Sequence, residues 1–169
     1  MNVPRIIERA MLKMLQDHAD VGATTWLRAW RSLALTADNK RGTDRQFPLV
    51  DIRCAPATYD EDQTTMACIC QIIMASNEDS DLDHAVIVGI ETAVRDCCER
   101  YYQQWRTAAT GVEATTFNTE LTTAADEESK TFSVTGVTFS DSLMPYDEDG
   151  HCTVGFTMVF HFGRIKLTA

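Results

Sequence analysis

The sequence predicts an α+β fold: a mostly antiparallel sheet of two hairpins, covered on one face by an N-terminal helix and a long central helix. Three observations predict it. Residues 132–163 read as a hairpin closed by the acidic turn Met144-Pro145-Tyr146-Asp147-Glu148-Asp149-Gly150, and its second strand alternates Cys152, Val154, Phe156, Met158, Phe160 and Phe162 on one face. An earlier hairpin spans residues 47–75 around the tip Tyr59-Asp60-Glu61-Asp62. Between the two, Leu82, Val86, Ile90, Val94, Cys97, Tyr101 and Trp105 recur every three or four residues, the period of an amphipathic helix. Hairpins and helices segregated in this way bury their apolar faces on each other, a helix layer on a sheet.

The elements follow in order. Pro4 suits the first turn of a helix, where its missing N–H costs nothing. Ile7, Met11, Met14 and Leu15 continue that helix as an apolar stripe that ends near Asp20-Val21-Gly22. Thr24 or Thr25 can cap a second short helix, with Trp26, Leu27, Trp30, Leu33 and Ala34 on one side. Residues 36–46 are polar, contain Gly42 and read as a loop. Phe47-Pro48 opens the first strand, since Pro belongs at a strand start or an edge. In that strand Val50, Ile52 and Cys54 face one way, and Asp51 and Arg53 the other. The strand 66–74 is apolar on both faces apart from Gln71, which marks a central strand or one covered by another subunit.

Ser80-Asp81-Leu82-Asp83 fits a capping box before the long helix. Glu91 and Arg95 form an i,i+4 pair on its solvated face, worth a few tenths of a kcal/mol, about 0.2–0.5. Residues 108–131 are rich in Thr, Ala and acid, with Lys130 as the basic residue; the stretch is long for a connection and reads as an excursion that orders on assembly or a mobile flap. In the last hairpin Val137 and Phe139 are out of phase with Phe132 and Val134, and a bulge at Gly136 restores one apolar face.

Composition bounds the function. The 169 residues make one domain with a real core, carrying insertions at about 24–46 and 108–131. No charged-then-apolar leader is present and no apolar run approaches about eighteen residues, so neither a signal peptide nor a membrane span is expected, and cytoplasm is the default compartment. Residues 1–47 carry eight Lys/Arg and five Asp/Glu, net +3; the rest carry seven and twenty, net −13. That balance argues against generic DNA or RNA binding, which depends on neutralising phosphates. It suits a surface that nucleic acid passes without sticking.

Cys54, Cys68, Cys70 and Cys152 lie in strands among apolar neighbours, and Cys97-Cys98 on a helix, so the cysteines read as small buried hydrophobes rather than a disulfide framework. Zinc is the weaker alternative, with no C-x-x-C pair and no His at ligand spacing. The acidic clusters at Asp60-Glu61-Asp62, at Glu78, Asp79, Asp81 and Asp83, at Asp126-Glu127-Glu128 and at Asp147-Glu148-Asp149 match no EF-hand loop and read as solvated turns and a helix start. His18, His84, His151 and His161 fall on different elements; His161 reads as a hydrogen-bonded sheet residue. No nucleophile elbow, H-E-x-x-H or phosphate loop occurs, so no catalytic residue, cofactor or metal is assigned. The candidate residues are therefore those of an interface. Trp26 and Trp30, four apart, either anchor a partner or pack in the core, and Arg28 and Arg31 beside them suit a contact. The two hairpin tips add Tyr59, Asp60, Glu61 and Asp62, and Tyr146, Asp147, Glu148 and Asp149.

The order helix, hairpin, long helix, hairpin resembles the tail terminator (tail completion) proteins of long-tailed phages. The resemblance is carried by the helix at 3–19, by Phe47-Pro48-Leu49-Val50-Asp51-Ile52, and by the second strand running into Ser80-Asp81-Leu82-Asp83. It continues in Val137-Thr138-Phe139 and, past the acidic turn, in Gly155-Phe156-Thr157-Met158-Val159-Phe160. Segments 24–46 and 108–131 depart from the family pattern. The resemblance implies a non-enzymatic virion protein of the tail or neck, made in the host cytoplasm. It would form a ring, typically a hexamer, that caps the head-proximal end of the tail tube, stops tube polymerisation and offers a surface for head–tail joining. Its partners would be copies of itself, the tail tube protein and a head–tail connector or stopper, with DNA passing the lumen unbound and no membrane involved. The alternatives are a head-completion or neck adaptor of similar fold, and a small-molecule-binding or enzymatic α+β domain that uses its sheet face.

Overall fold

A computed structural model describes residues 3–22, 29–32, 48–55, 58–59, 65–77, 81–127, 130–131, 133–140, 146–148, 151–163 and 166–167. In chain order the elements are α1 (Val3–Asp17), α2 (Ala19–Gly22), β1 (Ala29–Ser32), β2 (Leu49–Cys54), β3 (Thr58–Tyr59), β4 (Thr65–Asn77) and α3 (Asp81–Thr107), followed by α4 (Val112–Glu127), β5 (Lys130–Thr131), β6 (Val134–Phe139), β7 (Tyr146–Glu148), β8 (His151–Gly163) and β9 (Lys166–Leu167).

The two long strands, β4 and β8, pair antiparallel from Thr65↔Gly163 to Asn77↔His151 without a register shift. They form the middle of a sheet ordered β1-β2-β4-β8-β6, with β3 beside β4 and β7 beside β8. All pairings in that sheet are antiparallel except β1 with β2. The even-numbered side chains of both long strands enter the core: Cys68, Cys70, Ile72 and Met74 are buried, as are Cys152, Val154, Phe156, Met158, Phe160 and Phe162. Period-two alternation thus sets one face of the sheet, as read from the sequence. The bulge is also present, since the β6 register slips between Val134↔Phe162 and Gly136↔His161. The slip turns Val137 into the core and packs Val134 and Phe139 against it.

Three helices seal that face. α1 packs on β2, β4 and α4; α3 packs on β4, β8, β6 and α4. The apolar stripe of α3 holds, with Ile90, Val94, Cys97 and Tyr101 buried and Val86 and Trp105 against the core. α3 is described from Asp81, and the cap expected at Ser80 lies outside the described residues. No helix of the described residues is long and apolar enough to cross a membrane.

Three sequence-based expectations need correction. Within 108–131, where the sequence reads as an excursion that orders on assembly or a mobile flap, α4 is a sixteen-residue helix of the single chain that buries Ala114, Phe117, Leu121, Ala124 and Ala125; residues 128–129 lie outside those described. Phe117 drives it home: its ring lies 4.6 Å from Tyr101 and stacks 5.4 Å from Phe160, so α4 reaches the sheet between α1 and α3. Trp30 does not share a helix with Trp26, because Ala29–Ser32 is a strand parallel to β2, pairing Trp30 with Val50 and Arg31 with Asp51. Glu91–Arg95 forms its ion pair at 2.8 Å, yet not on a solvated face: both side chains are half-buried. The Arg95 guanidinium sits 5.8 and 5.5 Å over the Phe139 and Phe156 rings, a cation–π lid on the edge of the core.

Candidate functional site

The twelve residues proposed from the sequence fall at the margins of the described structure. Trp30 and Arg31 lie in β1, Tyr59 in β3, and Tyr146, Asp147 and Glu148 in β7, known here by their backbone. Trp26, Arg28, Asp60, Glu61, Asp62 and Asp149 lie outside the described residues. The backbone pairing gives the two tips one feature in common. β3 extends the line of β2 along β4, and β7 extends the line of β6 along β8. The described part of each hairpin thus includes a short paired segment next to its acidic tip.

Two other features stand out, the first foreshadowed by the doubly apolar strand 66–74 and the second not visible in the sequence. The first is the second face of the sheet, formed by the odd-numbered residues of β4 and β8. Its cover is graded. In the row Leu49↔Ala75↔Thr153 all three residues are buried. In the next row, Asp51 is buried and accepts a hydrogen bond from Nε of the exposed Arg53 at 2.8 Å, with Nη2 ion-paired at 2.7 Å, a charge-assisted contact that holds the carboxylate. Beyond it Gln71 is exposed, and Ile69 reaches 46% exposure with its partners Val159 half-buried and Thr138 exposed. Gly155 leaves a shallow hollow walled by Gln71, Ile73, Thr153 and Thr157. Any side chain at 155 would force the backbone to shift, because a Cβ there would lie 2.7 Å from the Ile72 carbonyl oxygen.

The second feature is a polar knot where the end of α1, the short α2, α3 and the start of α4 meet. His18 closes α1, its N–H donating to the Met14 carbonyl at 3.1 Å while Val21 N–H donates to the His18 carbonyl at 3.2 Å. Its imidazole is buried, and Nε2 lies 3.3 Å from Glu113 Oε1. Glu113, itself buried, takes the Gln104 side-chain amide on its other oxygen. Gln104 Oε1 then accepts the Ala114 N–H at 2.8 Å, so one α3 glutamine caps α4. That reach is possible because Gly111 has no side chain: a Cβ would meet the Gln104 amide at 2.1–2.4 Å. The turn ends α3 with Ala109 N–H donating to Gln104 O and Ala108 N–H to Trp105 O, a Schellman closure with Ala108 at φ 50°. Asp20 and Asp96 complete the knot, and Asp96 Oδ2 accepts from Arg100 Nε at 2.7 Å.

The buried thiols form a third cluster of different character. All six cysteines are free. The bond to Cys54 and burial push the Cys68 thiol up, and burial pushes up Cys97 and Cys98, so these stay protonated and poorly nucleophilic. Glu8, buried beside them, accepts the Cys54 N–H at 2.8 Å and ties α1 to the end of β2. That fits packing more than chemistry. A His-x-Asp at a helix end was the local trace of the knot; Asp96 and Glu113 arrive from elements with no sequence link to it. No protein-family model matches this chain, and no curated protein matches it.

Proposed function

We propose that this chain is a structural, ring-forming protein of the tail-terminator type, closing the head-proximal end of a phage tail tube. The observation that carries the reading is the two-sidedness of the β4–β8 pair. One face is sealed by three helices, while the other leaves Ile69 46% exposed with Ile73 and Val159 half-buried around it. The occupant we assign to this face is a second copy of the chain. Support comes from the charge split, since a net +3 over residues 1–47 opposes a net −13 over the rest. Opposite charge in different parts of one chain favours head-to-tail contacts between copies, which form a ring where the rotation closes. Arg9 and Lys13 are engaged within the chain, by Glu120 and Glu127 and by Asp17. The reading keeps Arg28 and Arg31 as the basic contact candidates, Arg31 in β1 and Arg28 outside the described residues. Acidic tips on the lumen side would let DNA pass with little adhesion.

The mechanism is steric. One ring face matches the last ring of the tail tube, and the other cannot nucleate a further one. Mass in solution at low and high salt tests this, with negative-stain images of the product. The expected result is a closed oligomer favoured at low salt and with tail tube present. A monomer under every condition would overturn the reading. A phage lacking the gene should make overlong tails; tails of normal length on unjoined heads would instead point to a neck adaptor.

A further inference from the structure

The polar knot at the α1–α2 junction carries an inference independent of ring formation. A ring nitrogen of His18 and carboxylate oxygens of Asp20 and Asp96 lie within 4.8 Å of one another. His18 is only 6% exposed, and its Nδ1 is buried with no hydrogen-bond partner among the described residues. Its other nitrogen, Nε2, faces Glu113 Oε1 at 3.3 Å. Glu113 cannot turn away, because Gln104 holds its second oxygen. A carboxylate fixed on Nε2 selects the tautomer that donates there and leaves Nδ1 as a bare lone pair. Metal-binding histidines are held in this way, with the non-ligating N–H given to a carboxylate. The imidazole and the two carboxylates form a ligand set that a metal would take over from Arg100, which now donates to Asp96.

We infer that this junction is a divalent transition-metal site, with His18, Asp20 and Asp96 as ligands and Glu113 orienting the imidazole. One nitrogen and two carboxylates suit Zn²⁺ or Co²⁺, with water in the remaining position, better than Mg²⁺, which prefers an all-oxygen octahedron. Tetrahedral ligands at about 2.0–2.2 Å from Zn²⁺ lie roughly 3.4 Å apart, so the three side chains, now within 4.8 Å of one another, must draw in to close on the ion. Arg100 opposes the cation, since it already donates to Asp96 Oδ2; its side chain is 56% exposed and free to swing toward solvent. The bound ion would pin the end of α1 and α2 to α3 while Glu113 ties in α4, joining the three helices that seal the sheet.

Co²⁺ titration of the full chain tests the site, because its spectrum separates nitrogen and oxygen ligands from the thiolates of the six cysteines. The expected result is visible d–d bands at one equivalent, without sulfur-to-cobalt charge transfer, displaced by Zn²⁺. Asp20→Asn, at an exposed position, should weaken binding by at least tenfold with the fold intact by circular dichroism. His18→Ala should abolish it. Glu113→Gln should weaken it about 10–100-fold, as removal of an orienting partner does. Arg100→Gln should tighten it. Absence of the bands would overturn the site, as would thiolate bands lost in Cys54→Ser, an Asp20→Asn protein that binds like the parent, or an Arg100→Gln protein that binds more weakly.

Discussion

The two faces of the β4–β8 pair use the same strands and the same register, yet they are built on different rules. The even-numbered face carries Phe156, Met158, Phe160 and Phe162 opposite Ile72, Cys70, Cys68 and Met66, all buried. The odd-numbered face carries Gly155, Thr157, Val159 and His161 opposite Ile73, Gln71, Ile69 and Ala67, and most of it stays within reach of solvent. The first face makes the fold; the second is available for contact. Stability and assembly should therefore separate cleanly by residue parity.

The largest effects are expected on the sealed face. Phe160→Ala should cost about 3–5 kcal/mol in urea unfolding, from lost burial and the cavity left behind. Phe117→Ala should cost a similar amount, because its ring stacks on Phe160 although it comes from α4. A cost under about 1 kcal/mol at Phe117 would return α4 to the status of an appendage. Next is Gly155→Ala, which sits on the open face but presses its new methyl on the Ile72 carbonyl. It should cost about 1–3 kcal/mol, the scale of overpacking, and so breaks the parity rule through backbone rather than through burial. Ala108→Gly should do the reverse and stabilise by roughly 0.5–1 kcal/mol. It relieves the left-handed residue that joins α3 to α4, at some entropic cost to the unfolded chain. The smallest effect belongs to the rim of the helix layer. A hydrogen bond from Arg9 holds the Glu127 carboxyl below its usual range. A depressed carboxylate contributes above its unfolded pKa, and that contribution fades as pH falls through the lowered folded value. Between those two values, Arg9→Met should flatten the acid side of the stability–pH curve slightly, and salt should do the same.

Legibility in the sequence followed the strength of each periodic signal. β8 was readable because six apolar side chains alternate with residues that, Val159 apart, are polar or small, a pattern no helix sustains. The Gly136 bulge was readable because it repaired a phase error in that same pattern. α4 was not readable, for three physical reasons. Five of its sixteen residues are threonines, which lower helix propensity. Two of them, Thr122 and Thr123, satisfy their hydroxyls on the carbonyls four residues back, at 2.9 and 3.0 Å, so they are tolerated only once the helix is packed. Its buried stripe is mostly alanine, so only Phe117 and Leu121 mark a face. Ala29–Ser32, inside the stretch expected to be a short helix, misled in the opposite direction. Spacing of three and four occurs by chance in a short run, and pairing with β2 made Ala29–Ser32 a strand. The knot around His18 was invisible because its members meet only after α1, α3 and α4 have packed.

The most direct test of the two-face account is the mass of the parent and of Ile69→Lys in solution, measured beside their unfolding midpoints. Ile69 is 46% exposed, so the charge should change stability by no more than about 0.5 kcal/mol. The expected result is a parent that assembles into a closed oligomer and a variant that remains monomeric with the same fold. A parent that stays monomeric at every salt concentration and with tail tube present, or a variant that assembles as the parent does, would contradict it.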